Sequence, residues 1–261
     1  MTTPNPGTHQ PGCDRCWVRG HSVFCGLEAE RLGTIEARKV TRTYRRGEPL
    51  YIEGDSANGV YCLYRGAAKV FRTARDGREQ IVRLASAGDL VGYRSVFDGQ
   101  IHSTCATALD EVQACFIPRA QFALLCENAP TLAHAMLGLL SHQLVAVEER
   151  MLELTQKSVR ERLAETLLQL HAIFGVERDG TTLDVRLSRG ELAELVGAAT
   201  ESVIRFLTDF KRAGVLSLRG KRIGILELET LHDVANVEIH GTVPQRQESD
   251  EDREPVCAEA A

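Results

Sequence analysis

The chain lacks features that would have marked three large classes of protein. It has no run of about 18 apolar residues, so no segment is long enough to cross a bilayer as a helix. Its first residues, Met1 to Gln10, are polar and proline-containing, without the basic-then-apolar order of an export signal. A cytoplasmic protein with no membrane partner is expected. Catalytic signatures are missing too: there is no nucleophile motif, no phosphate-cradling glycine loop and no pair of carboxylates in a plausible site. The glycines fall between strand-like runs, as turns do, and the chain is not expected to be an enzyme.

What is present fits an ordinary globular composition, with 261 residues, 43% apolar and 26% charged, enough for two modest domains. The formal charge of −5 argues at first against a nucleic-acid partner, but the charge is segregated. From Lys157 to Arg222 there are 12 Lys and Arg against 9 Asp and Glu, a net of +3. Beyond Arg222 there are 2 against 10, a net of −8, and this end reads as a solvated acidic tail. The eight cysteines, in a reducing compartment, point to metal binding or redox chemistry before structural disulfides.

Glycine punctuates residues 31–129 and separates short strand-like runs, Val60–Tyr64, Ala68–Thr73, Glu79–Leu84 and Glu111–Ile117. Asp76-Gly77 between two of them is a two-residue hairpin signal. Many short strands closed by turns predict an antiparallel β-roll or jelly roll. After Pro118 the period changes. Leu137, Leu140, Leu144, Val147, Met151 and Leu154 alternate at three and four residues, the a/d seam of a long helix over 130–157. A helix packed on its own domain would give a wider stripe, so the strict seam predicts a homodimer. A second helix follows, with Val159, Leu163, Leu167, Leu170 and Phe174 on one face. A loop over Val176 to Thr182 and a short strand over Leu183–Leu187 come next.

Ser188-Arg189-Gly190-Glu191 is a capping-box pattern that opens a helix ending at Gly197. A second helix begins near Thr200 and packs Val203, Phe206, Leu207 and Phe210 inward. Helix, glycine turn and helix make a helix-turn-helix. The outer face carries Thr200, Glu201, Arg205 and Thr208. An arginine there can donate two hydrogen bonds to guanine, and a glutamate can accept from cytosine; on an arbitrary helix the same pair would be an i,i+4 ion pair. Val215–Leu218, the basic turn Arg219-Gly220-Lys221-Arg222 and Ile223–Leu228 then read as a wing whose tip meets phosphates. The overall expectation is an α+β chain in five parts: a cysteine-containing segment (1–30), the β-roll (31–129), the dimerisation helix (130–157), a winged helix-turn-helix (158–235) and an acidic, disordered tail (236–261).

The run LSRGELAELVGAATESVIRFLTDFKRAGVLSLRGKRIGIL resembles the winged helix of the CRP/FNR family of transcription regulators, and the order of glycine-rich roll, heptad helix and winged helix matches as well. The resemblance covers roughly residues 13 to 230. It implies double-stranded DNA as partner, with inverted TGA…TCA half-sites read by Glu201 and Arg205, and RNA polymerase as a second partner. Ser188, Arg189, Thr200, Ile204, Lys221 and Arg222 complete the implied DNA-contacting set; Thr200 and Ile204 stand where two branches of the family carry other residues, so neither full operator carries over. One branch binds cyclic AMP with a glutamate, an arginine and a serine. In GDLVGYRSVFDGQIHSTCATA these become Tyr93, His102 and Ser103, and cyclic-nucleotide binding is not expected. In another branch four cysteines hold a 4Fe–4S cluster that responds to oxygen or nitric oxide. The matching residues are Cys13, Cys16 and Cys25, spaced C-x2-C-x8-C, and the distant Cys115. The same thiols could hold zinc, act as redox dithiols or hold nothing, and His102, His134, His142 and His171 are candidate haem ligands for a ligand-sensing roll. Cys62, Cys105 and Cys126 lie in apolar runs and read as buried small hydrophobes. Oxygen-switched members carry an acidic residue in the seam where this chain has Val147, which predicts a dimer in both signalling states.

Overall fold

A computed structural model of the protein describes residues 12–99 and 101–236. Cys257 and the acidic tail beyond Asn236 lie outside the described residues, as does Met1 to Gln10. Two short 3-10 turns, Cys13–Arg15 and Trp17–His21, lead into helix α1 (Ala29–Glu36). The strands β1 (Val40–Tyr44), β2 (Pro49–Tyr51), β3 (Gly59–Arg65), β4 (Ala68–Thr73), β5 (Glu79–Ala85) and β6 (Leu90–Val91) follow. A short helix α2 (Arg94–Phe97) precedes β7 (Cys105–Ala108) and β8 (Val112–Pro118). The strands form two four-stranded sheets, ordered β1-β8-β3-β6 and β2-β7-β4-β5, and every pairing is antiparallel.

Strand alternation decides what each sheet face carries. On β3, Tyr61 and Leu63 point into the roll, where they meet Val70, Ala106 and Val112. Val60 and Cys62 point the other way, into a second core with Cys115, Ile117, Phe24, Leu32 and Ile35. The middle of β3 is therefore buried on both faces, which explains why it reads as a continuous apolar run. The β4–β5 hairpin departs from expectation. Ala74 and Arg78 close the ladder and Gly77 has φ +82°, so the loop has three residues, Arg75, Asp76 and Gly77. The Gly77 N–H bonds to the Ala74 carbonyl and the left-handed glycine then absorbs the bulge.

Helix α3 (Arg119–Asn128) leads into α4 (Pro130–Gln156). Leu132 and Met136 seat the start of α4 on the outer core of the roll. The predicted seam, Leu137 through Leu154, is 39–65% exposed in the protomer. Helices α5 (Val159–Phe174), α6 (Arg189–Val196) and α7 (Thr200–Arg212), strands β9 (Leu216–Arg219) and β10 (Arg222–Ile225), and helix α8 (Leu228–Ala235) share one core around Leu163, Leu167, Leu192, Val203 and Phe210. The Leu183–Leu187 strand is not formed. Thr182 and Leu183 make only isolated bridges, to Gly224 and Val176, because Asp179 turns the chain by accepting from the Thr181 and Thr182 N–H groups. The wing ends at Ile225, and α8 occupies part of what reads as strand.

A candidate DNA-reading surface and a thiol-lined cavity

Local chemistry holds the DNA-reading helix in place. The Ser188 hydroxyl accepts from the Glu191 N–H at 3.1 Å, and the Glu191 carboxylate accepts from the Ser188 N–H at 2.6 Å, completing the capping box. Burial opposes ionisation of Glu191, but those Ser188 bonds and Arg46 at 3.1 Å hold its pKa below the ordinary value. Gly197 ends α6 in the left-handed region, and an added Cβ would sit 3.0 Å from Leu154 Cδ2, so the turn rests directly on α4. Helix α7 buries Val203, Leu207 and Phe210 and leaves Glu201, Ile204 and Arg205 exposed. The Arg205 guanidinium lies 4.9 Å over the Phe206 ring. Thr200 is half-buried, and the Thr208 hydroxyl donates back to the Ile204 carbonyl.

The other expected DNA contacts divide. Lys221 and Arg222 are exposed at the wing, where Gly220 has φ +61° and Arg222 lies 3.3 Å from Glu177. Ser188 spends its hydroxyl on the cap. Arg189 donates to the Gly220 carbonyl at 3.1 Å, which ties the start of α6 to the wing turn. Against the roll, Lys69 bridges Glu79 at 2.6 Å and Glu194 at 3.1 Å, while Gln80 bonds the Glu194 carbonyl and Arg150 the Leu195 carbonyl. Helix α6 is thus in contact with both the β2-β7-β4-β5 sheet and α4.

A cavity of about 440 Å³, partly open to solvent, lies on the outer face of the β1-β8-β3-β6 sheet. Cys13, Cys16, Cys62 and Cys115 line it, with apolar walls from Val18, Phe24, Leu32, Ile35 and Ile117. Cys25 does not line it. Lys39 reaches in with its side chain 8% exposed; the ammonium is 3.2 Å from Cys13 Sγ and 2.9 Å from Glu36. Glu36 also accepts from the Cys13 N–H at 2.7 Å. Burial pushes the Cys13 thiol up to about 12 and raises Cys16 and Cys62 as well. Among the described residues no three His, Cys, Asp or Glu side chains converge tightly enough for a single metal ion. Four thiols, apolar walls and two cationic side chains, Arg19 and Lys39, around one volume are a donor set and setting that would suit an iron–sulfur cluster. Reading Cys62 as a small hydrophobe missed its place in this cavity; only the β3–β8 register could have revealed it.

A second cavity at the roll, with about 310 Å³ of empty space that includes open solvent, is lined by Tyr51, Arg83, Tyr93, Arg94 and Thr104 among others. His102 is buried, stacked on Tyr51 at 4.1 Å, with its Nδ1 unpartnered, as is the Tyr93 hydroxyl. Ser103 is exposed, and Thr104 takes the buried position beside it. His102 stands where the cyclic-AMP-binding branch has its arginine, yet Arg83 and Arg94 stand in the wall. Arg83 is held by Asp89 at 2.8 Å. His134 and His142 are exposed on α4 and His171 is half-buried on α5. No helix among the described residues is long and apolar enough to cross a membrane.

An exposed polar face on the second helix of a winged helix-turn-helix, joined to a β-roll, is the arrangement of a DNA-binding regulator. Residues 41–129 match the cyclic nucleotide-binding domain family and residues 161–234 the Crp-like helix-turn-helix domain family. The chain is 30% identical over 234 residues to the transcriptional activator protein anr of Pseudomonas aeruginosa, covering 89% of this chain and 96% of that protein. It is 29% identical over 210 residues to the CRP-like cAMP-activated global transcriptional regulator of Mycobacterium tuberculosis, covering 80% and 94%. The structure of FixK2 from Bradyrhizobium japonicum superposes with a TM-score of 0.68 at 25% identity, covering 75% of this chain and 96% of that one. The chain belongs to the CRP/FNR family: it is a transcription regulator that binds DNA through its helix-turn-helix, and it is not an enzyme. Proteins of this family dimerise.

Proposed function

We propose that the protein is a cytoplasmic redox regulator that binds inverted TGA…TCA half-sites as a homodimer and engages RNA polymerase there. Its signal enters at the thiol cavity, whose cysteines hold a 4Fe–4S cluster. The resemblance assigns Cys13, Cys16, Cys25 and Cys115 to it. The observation that carries the reading is the meeting of Cys13, Cys16 and Cys115 around one cavity, although more than 95 residues separate the first from the last. Bound there, the group supplies a centre that reacts with oxygen or nitric oxide. The protein's own parts do the rest. Lys39 sets positive charge against the thiolates, and the apolar walls restrict water. The core under the thiols includes Leu132 and Met136 of α4, and the far end of α4 meets α6 through Arg150 and Leu154. A change in the cavity is felt along α4 as a change in how the recognition helices are presented. With Leu137, Leu140, Leu144, Val147, Met151 and Leu154 all apolar, the seam keeps both states dimeric. A monomer of the metal-free form at micromolar concentration would contradict this.

Anaerobic purification, with an absorbance spectrum and iron, sulfide and zinc analysis, tests the cluster. About four irons and four sulfides per chain, with a visible band bleached by air, are expected. Zinc without iron, or no metal, sinks the cluster. The roll cavity, with Arg83, Arg94 and the unpartnered Tyr93 hydroxyl and His102 Nδ1, would then be the place to look for a small ligand.

A further inference from the structure

The geometry points to Cys62, in the place that the resemblance gives to Cys25, as the fourth thiolate of the cluster site; this rests on the cluster reading above. Cys62 on β3 is directly opposite Cys115 on β8. The phase of the ladder follows from its end. The Arg119 N–H bonds the Asn58 carbonyl, so the 58–119 pair is hydrogen-bonded, and alternation makes 60–117 and 62–115 hydrogen-bonded pairs also. Leu63 agrees, because it bonds away from β8, to Asp89. Such a pair has its Cα atoms about 5.5 Å apart with both side chains on the same face. That face is the outer one, and both thiols open on the cavity. Two ligands from paired strands of a covered sheet are held more firmly than ligands on loops. Cys13, which opens the first 3-10 turn, and Cys16, which joins the two turns, line the same cavity, and their C-x2-C spacing supplies the other pair.

Cys25 is placed differently. It closes a turn in which its N–H bonds the Ser22 carbonyl at 3.1 Å. The Arg19 guanidinium clamps that turn by donating to the carbonyls of Cys25 at 3.2 Å and Leu27 at 3.1 Å. Arg19 and Ser22 of this turn line the cavity but Cys25 does not, whereas Cys62 lines it directly.

The test uses the full chain as wild type, Cys25→Ala, Cys62→Ala, Cys62→Ser and, as a control elsewhere in the roll, Cys105→Ala. Each is reconstituted anaerobically with ferrous iron and sulfide and desalted. Iron and sulfide per chain, the visible spectrum and the melting of the metal-free form are then measured. Cys25→Ala and Cys105→Ala are expected to retain wild-type iron, and Cys62→Ala less than a tenth of it. Cys62→Ser offers an oxygen ligand and should keep part of the cluster with a displaced visible band, which a packing role would not produce. Cys62→Ser with a full, unshifted cluster overturns the proposal even if Cys62→Ala proves poorly folded. Loss of iron in Cys25→Ala, with wild-type melting of its metal-free form, overturns it too. Wild type that retains no iron and sulfide overturns the cluster reading and the proposal together, a result distinct from either variant's failure.

Discussion

The recognition helix and the thiol cavity are built in opposite ways. On α7 the proposed DNA-contacting residues Glu201, Ile204 and Arg205 are neighbours in sequence, displayed by one helix whose other face is buried. In the cavity Cys13 and Cys16 come from a segment of 3-10 turns, Cys62 and Cys115 from two strands of the roll, and Lys39 from the end of α1's exit. The first site needs a helix and a cap. The second needs the whole sheet to be in register, because a slip of one residue would send Cys62 or Cys115 to the inner face. A DNA-reading site of the first kind can be altered without loss of fold. The second is tied to the core, so that on the proposed function a chemical event there would act on structure.

Helix α4 joins the two, and breaking its seam should have the largest effect. Leu144→Glu would place an unpaired carboxylate in each half of the dimer, at several kcal/mol each. A monomer by sedimentation is expected, with operator affinity down by at least about 100-fold, while iron retention per chain holds; a dimer with wild-type affinity would show that the seam lies elsewhere. Next, Arg205→Ala should cost about 1–3 kcal/mol at each half-site, and so about 2–6 kcal/mol for the dimer. Binding anisotropy on TGA…TCA and scrambled duplexes would show this as lost discrimination, with the metal content unchanged. An equal loss on both duplexes would instead make Arg205 a phosphate contact.

On the cavity side, Lys39→Ala is expected to weaken metal retention about 10- to 100-fold, the usual effect of removing a residue that supports ligands, with DNA affinity of the metal-free protein unchanged. Burial raises the Cys13, Cys16 and Cys62 thiols, so binding must displace protons. Retention should therefore fall as pH falls, and fall at higher pH in the variant, because the ammonium that favours thiolate is gone. A chelator competition at several pH values measures both effects.

The same contrast explains what could be read in advance. The capping box at Ser188, the left-handed Gly197 and the face of α7 each depend on residues within about one or two turns, and sequence spacing suffices to see them. The boundaries of β4 follow from alternation in the same way. What escaped is non-local. Helix α8 is short, and its Leu228, Leu231 and Ala235 continue the apolar run of the wing, so nothing local separates strand from helix. The roll cavity brings Arg83 and Arg94 together from different elements, and Cys62 looks like core because it is core, packed on the face where the cysteines meet. Ser188 is the reverse case. A motif near DNA suggested contact, but the hydroxyl already has a partner.

That last point yields the smallest effect and the sharpest separation of fold from function. If Ser188 acts as a cap, Ser188→Ala should lower stability by about 1 kcal/mol, roughly 2–4 °C in melting for a chain of this size, and Ser188→Asp should restore most of it. Operator affinity should not change beyond the fold's own loss. Glu191 adds a pH signature. Its folded pKa lies below the ordinary carboxylate value, so its contribution is complete above the unfolded pKa of about 4.3 and is lost as acid takes the pH down through the folded one. The melting difference between wild type and Glu191→Gln should accordingly shrink in that acid window and be constant above it. A Ser188→Ala protein that melts like wild type but binds the operator tenfold more weakly would return the serine to the DNA surface and make the cap an accessory.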